Sequence, residues 1–184
     1  MEAVKSIEII ESMLKESKKS LYRHSFYFIL WGIMMIIAGL ADYFFYGKAY
    51  FWTIWPSATV VGGIIASVYS RKEGKRSGTV TMIDRIHLYT WGAFGISLFL
   101  AIFYAAYNHL SPYPLVLLLA GSATFISGGI SRFKPFIWGG LVLEAGSVAC
   151  AYFIDNRYHG LVFALCIFLA YVIPGLILRK SENA

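Results

Sequence analysis

Glu144 is the residue of this chain whose type and position are best suited to chemistry. It lies ten positions beyond Lys134 in an otherwise apolar segment. In a helix this is about 15 Å from Lys134, which is near the middle of a membrane about 30 Å thick. A charged carboxylate at that depth costs at least a few kcal/mol, so we expect the side chain to face the protein interior. One interpretation is a proton or cation site, or a polar anchor for a ligand. The other is a structural hydrogen bond between a protonated carboxyl group and a hydroxyl on another helix, with candidates at Ser97, Ser122, Thr124 and Ser127.

A second group of polar residues, Asp84, Arg85 and His87, lies at the start of the third apolar segment, in a helix that we expect to begin before them. On the inner side of a membrane, these residues suit an acid/base or lipid-headgroup-binding cluster. The alternative is that they mark the polar end of a helix and do nothing further.

The other ionisable residues near the apolar segments are weaker candidates. We expect Asp42 and Asp155 to be solvated near the outer surface, with Lys48 and Arg157 as loose partners of little energetic value, and a binding role is the alternative. The histidines divide between the two surfaces and are expected at the membrane interfaces: His24 and His87 at the inner one, His109 and His159 at the outer one.

No complete catalytic, metal or nucleotide motif occurs in the sequence. Cys150 and Cys166 lie in apolar segments and are predicted to be reduced packing residues. The glycine-rich stretches are embedded in apolar segments, unlike phosphate-binding loops, which follow strands. The sequence therefore predicts no catalytic residue, no metal and no cofactor, and does not favour an enzyme.

The composition indicates which elements position these residues. Of the 184 residues, 58% are hydrophobic and 14% are charged, against about 25% charged in typical soluble proteins. The net charge of +6 is concentrated at the ends of apolar segments, which argues against nucleic-acid binding. We predict an all-α polytopic membrane protein with six transmembrane helices, at about 25–46, 51–70, 87–107, 113–131, 135–154 and 159–178.

The six segments form three predicted hairpins, each opening on a Trp-Gly pair: Trp31-Gly32, Trp91-Gly92 and Trp138-Gly139. Basic residues close each hairpin at a similar distance, which suggests a parallel threefold repeat with its axis along the membrane normal. The alternative is that interfacial Trp and terminal Arg residues recur in any such protein. Pro174 and Gly175 lie inside the last segment and predict a kink or an early end.

Small residues at a four-residue step predict close helix packing in the fourth segment (Ala120, Thr124, Gly128 and Ser131) and in the second (Gly62 and Ala66). We expect these faces to pack within the chain, with a homodimer face as the alternative.

The distribution of Lys and Arg predicts the orientation. Fourteen of them fall on one side of the six segments and two on the other, which places both termini in the cytoplasm. Residues 1–24 read as a cytoplasmic amphipathic helix that lies on the membrane or docks on a partner, and 179–184 as a short tail.

The chain resembles a family of uncharacterised six-helix bacterial membrane proteins at four short motifs: Leu30-Trp31-Gly32, Trp55-Pro56, the Thr81–Arg85 stretch and Ile173-Pro174-Gly175. The resemblance implies a bacterial inner-membrane location and supplies no activity.

Three functions remain open. The first is small-molecule or ion- or proton-coupled transport, motivated by Glu144 and Pro174. The second is a membrane sensor or interaction protein that acts through residues 1–24, and the third is a membrane-embedded lipid-modifying enzyme. The expected partners are the lipid bilayer, a small-molecule or ion ligand, and either a second copy or a cytoplasmic protein.

Overall fold

The computed structural model describes residues 25–48, 53–73 and 82–182, and these residues are almost entirely helical. In chain order the helices are α1 (Ser25–Phe44), α2 (Ile54–Glu73), α3 (Met82–Tyr107), α4 (Tyr113–Ile130), α5 (Lys134–Tyr152), α6 (His159–Ile167) and α7 (Ile173–Glu182). A π-helical turn, Phe168–Val172, joins α6 to α7, so the two form one continuous last helix. The predicted helix at 1–24 lies outside the described residues.

The described helices confirm an all-α membrane class. Five of them are long and apolar enough to span a membrane, namely those covering Phe26–Phe44, Arg85–Tyr107, Tyr113–Ile130, Lys134–Tyr152 and Asn156–Lys180. The predicted second span corresponds to a shorter apolar helix, Ile54–Tyr69. Helix length and apolarity are local properties of the sequence, which is why the predicted segments and the helices agree closely.

The last helix runs antiparallel to α1 at very short range. Gly39 faces Gly160, and a Cβ atom at Gly160 would lie 2.5 Å from the carbonyl oxygen of Gly39. Farther along, Gly32 lies against Val172. Glycine allows this approach because it has no side chain to keep the two backbones apart.

Helices α4 and α5 form the most extensive helix pair. Gly128 lies against Phe136, and a Cβ atom at Gly140 would lie 2.8 Å from the carbonyl oxygen of Gly121. The predicted small-residue face of α4 is buried along its length, at Ala120, Thr124, Gly128 and Ser131. That face therefore packs within the chain, as expected.

Pro174 interrupts the last helix without ending it. Proline has no N–H to donate and its ring clashes with the carbonyl four residues earlier, here that of Ala170. The π-helical turn at Phe168–Val172 includes this carbonyl, and helical structure then continues through Glu182. Pro174 thus changes the helix type locally and does not end the helix early. Single π-helical turns of this kind often occur at functional sites.

Helices α2 and α3 lie at the edge of the bundle. Helix α2 packs on α1, where a Cβ atom at Gly62 would lie 3.1 Å from the Trp31 ring. Helix α3 packs mainly on α4 and exposes large apolar side chains such as Phe99 and Phe103. The core is therefore formed by α1, α4, α5 and the last helix.

The structure does not confirm the threefold repeat. The three glycines of the Trp-Gly pairs have different surroundings: Gly32 lies against Tyr171 and Val172, Gly139 lies against Ala170, and Gly92 has nothing within 4 Å of its would-be Cβ atom. The closest pairs, α4 with α5 and α1 with the last helix, also join different predicted hairpins.

Candidate functional site

Glu144 lies at the α4–α5 interface, close to the middle of α5. Its Oε1 accepts a hydrogen bond from the Ser122 hydroxyl at 3.2 Å, longer than the usual 2.7–2.8 Å for two oxygen atoms. The carbon stem of Glu144 lies above Gly121, and a Cβ atom at position 121 would be only 2.8 Å from Cγ of Glu144. Glycine at 121 therefore makes room for the glutamate at the α4–α5 interface.

The surroundings of Glu144 differ from the expected protein interior. The residue is only half-buried, and Leu118 and Phe125 on α4 and Leu141 on α5 are exposed. Ser122 is thus the hydrogen-bond partner of a carboxyl group that the protein does not fully enclose.

Of the four predicted hydroxyl partners, Ser122 is the one that bonds to Glu144. Thr124 is buried, and its hydroxyl donates its one hydrogen to the Ala120 carbonyl oxygen at 2.7 Å. The Tyr171 hydroxyl lies 3.1 Å from the same Oγ1 and can donate to it, which links α4 to the π-helical turn.

Asp84, Arg85 and His87 all lie in the first two turns of α3, so the helix begins before them as expected. Arg85 is exposed and His87 is half-buried. Whether the three residues act together stays a prediction.

A second polar group, missed by the sequence analysis, occupies the end of the bundle where α1 ends and the last helix begins. It consists of Asp42, Trp55, Tyr113 and His159, and we call it the Asp42–His159 cluster. Asp42 is 2% exposed, which contradicts the expectation that it is solvated, and His159 is also 2% exposed. Asp155, by contrast, is exposed as expected.

The Asp42 carboxyl group has unusual surroundings. The Tyr113 hydroxyl and the Trp55 indole lie within reach of it, and His159 is near enough to act on it electrostatically. Even so, neither Oδ1 of Asp42 nor the Tyr113 hydroxyl forms a hydrogen bond of good geometry with any described residue. Buried polar atoms without partners are rare and costly in folded proteins.

His159 is held at both ring nitrogens. Nε2 lies 3.0 Å from the Ile154 carbonyl oxygen, which can only accept, so Nε2 carries a hydrogen and donates it. Nδ1 lies 2.6 Å from the Ser111 hydroxyl. In the neutral ring Nδ1 is therefore the acceptor, and the Ser111 hydroxyl donates to it.

Topology was the signal that could have found this cluster. Asp42 lies in the last turn of α1, and Tyr113 and His159 are the first residues of α4 and α6. In an up-and-down bundle these three helix ends lie at one end of the molecule. Asp42 and His159 were both expected at the outer surface. Their burial, which follows from the close packing at Gly39 and Gly160, was not predicted.

The remaining candidate ligands are dispersed. Cys150 and Cys166 are free and buried, as expected for packing residues. Within the part of the chain that the structure describes, no three His, Cys, Asp or Glu side chains are grouped in a way that would hold a metal ion.

Comparison of the chain with protein-family models, with curated proteins and with solved structures gives no match. The described residues form an all-helical structure in which five helices are long and apolar enough to cross a membrane.

Proposed function

We propose that the protein mediates ion- or proton-coupled transport of a small molecule across a bacterial inner membrane, with both termini in the cytoplasm. The observation that carries the proposal is the position of Glu144, a half-buried carboxyl group at the middle of a membrane helix with one long hydrogen bond. Ionisable groups at this depth are rare in membrane proteins and commonly mark ion pathways.

The geometry of Glu144 suits a group that binds and releases a proton or a small cation. A hydrogen bond at 3.2 Å is weak enough to be exchanged for a ligand, and the residue is only half-buried. A purely structural glutamate would be expected to be enclosed and bonded at both oxygen atoms.

The last helix supports a bundle that can change shape. Its π-helical turn lies against α5, where a Cβ atom at Gly139 would meet the Ala170 backbone at 2.9 Å. Irregular helices at membrane depth are a recurring feature of transporters, because a local change of helix geometry there moves one end of the helix relative to the other.

The test measures proton flux into liposomes that contain the purified protein and a trapped pH-sensitive dye. A potassium gradient with valinomycin sets the membrane potential that drives this flux. We expect flux of the wild-type protein to fall at least tenfold in Glu144→Gln, since the amide cannot bind a proton or a cation. Glu144→Gln should still fold, because the amide can accept the Ser122 hydrogen bond. Asp155→Asn is the matched control, since Asp155 is an exposed carboxylate, and its flux should equal that of the wild type.

Two results would overturn the transport proposal. One is a wild-type flux no greater than that of empty liposomes. The other is a Glu144→Gln flux equal to that of the wild type in a sample that has the same melting temperature.

A second candidate function is that of a membrane sensor or interaction protein. The observation that favours it is α3, whose exposed apolar side chains, Leu88, Ile96, Phe99 and Phe103 among them, are available to a partner in the membrane. Replacing Phe99 and Phe103 by alanine separates the two functions, because a transporter should retain its flux, whereas a protein that binds a partner through α3 should lose that partner.

A further inference from the structure

We propose that a groove on α2 binds an anionic phospholipid, with an acyl chain along the groove and the phosphate group at Arg71. The site is separate from Glu144, and it depends neither on the transport proposal nor on the side of the membrane at which α2 ends. It rests on the shape of the groove, on the cation at its end and on the aromatic contacts that hold this end in place.

The groove lies between two rows of residues on α2, each with a four-residue spacing: Thr59, Gly63 and Ser67 in one row, and Val60, Ile64 and Val68 in the other. The first row is low because its side chains are small, and the second is a ridge of exposed branched side chains. The groove has a volume of about 460 Å³, and nothing lies within 4 Å of the Cβ position of Gly63. The described part of the protein therefore leaves the groove open.

The groove faces away from the rest of the bundle. Helix α2 packs on α1 through Gly62, whose Cβ position is 3.1 Å from the Trp31 ring. Ile64 follows two residues later and lies about 200° further round the helix, nearly opposite this contact. In a membrane this face of α2 is in contact with lipid.

The length and lining of the groove suit an acyl chain. Thr59 and Arg71 are separated by about 18 Å along the helix, close to the thickness of one leaflet of the hydrocarbon core, about 15 Å. At the far end, the Thr59 hydroxyl donates to the Trp55 carbonyl oxygen at 2.9 Å, so its hydrogen is bonded within the helix. The groove is therefore apolar away from Arg71.

Arg71 lies at the level of the lipid headgroups. The apolar part of α2 ends at Tyr69, and Arg71 follows two residues later and is exposed. The Tyr69 ring stacks on Phe26 with centroids 3.8 Å apart and meets the edge of Tyr27 at 5.7 Å, so the end of α2 is held against the start of α1. A guanidinium group in this position can donate two parallel hydrogen bonds to a phosphate group.

The charge of Arg71 favours an anionic lipid over the other occupants of such a groove. A zwitterionic headgroup carries its own cation, which Arg71 repels, whereas an anionic headgroup is attracted. A second copy of the chain would have the same orientation in the membrane. Contact between the two grooves would then bring the two Arg71 side chains together, and like charges repel.

The test is native mass spectrometry of the full-length protein in detergent micelles, with added phosphatidylglycerol or phosphatidylcholine that carry the same palmitoyl and oleoyl chains. We expect the wild type to bind phosphatidylglycerol about fivefold more tightly than phosphatidylcholine, and Arg71→Gln to lose this preference. Arg71→Lys keeps the charge and should keep most of the preference. Arg179→Gln is the matched control, since Arg179 is an exposed cation in the last turn of α7, and it should behave like the wild type.

A second pair of variants tests the groove itself. Gly63→Leu places a side chain where the acyl chain would lie, and should lose the bound phosphatidylglycerol. Gly92→Leu is its control, because Gly92 is an exposed glycine of α3 with nothing within 4 Å of its Cβ position, and its lipid binding should equal that of the wild type.

Equal binding of the two lipids by the wild type would overturn the proposal. So would a preference for phosphatidylglycerol that persists in Arg71→Gln, or phosphatidylglycerol binding that is unchanged in Gly63→Leu. A dimer of the wild type that is lost in Gly63→Leu would assign the groove to a second copy and would overturn it as well. If Arg71→Gln does not fold, the comparison of Gly63→Leu with Gly92→Leu decides.

Discussion

Glu144 and Asp42 are carboxyl groups in one bundle with opposite surroundings. Glu144 has a hydrogen-bond partner but is incompletely buried, whereas Asp42 is 2% exposed and its Oδ1 has no hydrogen-bond partner among the described residues. The first is half-buried at the middle of its helix, while the second is closed in by three helix ends. Depth in the membrane and enclosure by protein are therefore separate properties.

The difference arises from how closely the helices approach. Near Asp42, α1 and the last helix touch backbone to backbone through Gly39 and Gly160, which closes the structure around the carboxyl group. Near Glu144, the glutamate stem itself fills the space above Gly121, and the residue stays half-buried. Substitutions that disturb only one of these contacts should therefore affect only one of the two regions.

The largest expected effect on stability is that of Gly160→Ala. The new Cβ atom would lie 2.5 Å from the Gly39 carbonyl oxygen and 3.1 Å from Asp42 Oδ2, so the helices must move apart. We expect a loss of about 2 kcal/mol in the free energy of unfolding, measured by denaturant titration in detergent micelles. Gly92→Ala is the matched control, since nothing lies within 4 Å of its Cβ position.

Gly92→Ala should be neutral or should stabilise the protein by up to about 1 kcal/mol, because alanine is the better helix former. Equal losses in Gly160→Ala and Gly92→Ala would contradict the close packing that encloses Asp42.

A smaller effect is expected from removing hydroxyl groups on α4. Thr124→Val removes a buried hydroxyl that bonds to Ala120 and to Tyr171, and should cost about 1 kcal/mol in the free energy of unfolding. Ser122→Ala removes only the long bond to Glu144 and should cost no more than about 0.5 kcal/mol. A greater loss for Ser122→Ala than for Thr124→Val would show that the Glu144 hydrogen bond is structural.

The sequence was sufficient to predict features that depend on local composition. The membrane helices follow from the length of the apolar segments, and Ser122 was among the four hydroxyls considered for Glu144. The burial of the small residues of α4 follows from their four-residue step.

Features that depend on which helices are neighbours could not be predicted. The Trp-Gly spacing suggested equivalent hairpins, yet Gly92 faces open space because α3 lies at the edge of the bundle. Asp42 lies near the end of α1, and a residue near a helix end was expected to be exposed to solvent. It is enclosed because the last helix packs closely against α1 at this point. Helix-to-helix contacts of this kind leave no pattern within a single segment.

The most direct test of the account is labelling with dicyclohexylcarbodiimide, a hydrophobic reagent that adds to protonated carboxyl groups, followed by peptide mass spectrometry. We expect a label on Glu144, which is half-buried, that is absent from Glu144→Gln and does not occur on Asp42, which is enclosed. A label on Asp42 with Glu144 unmodified, or no label on either residue, would contradict it.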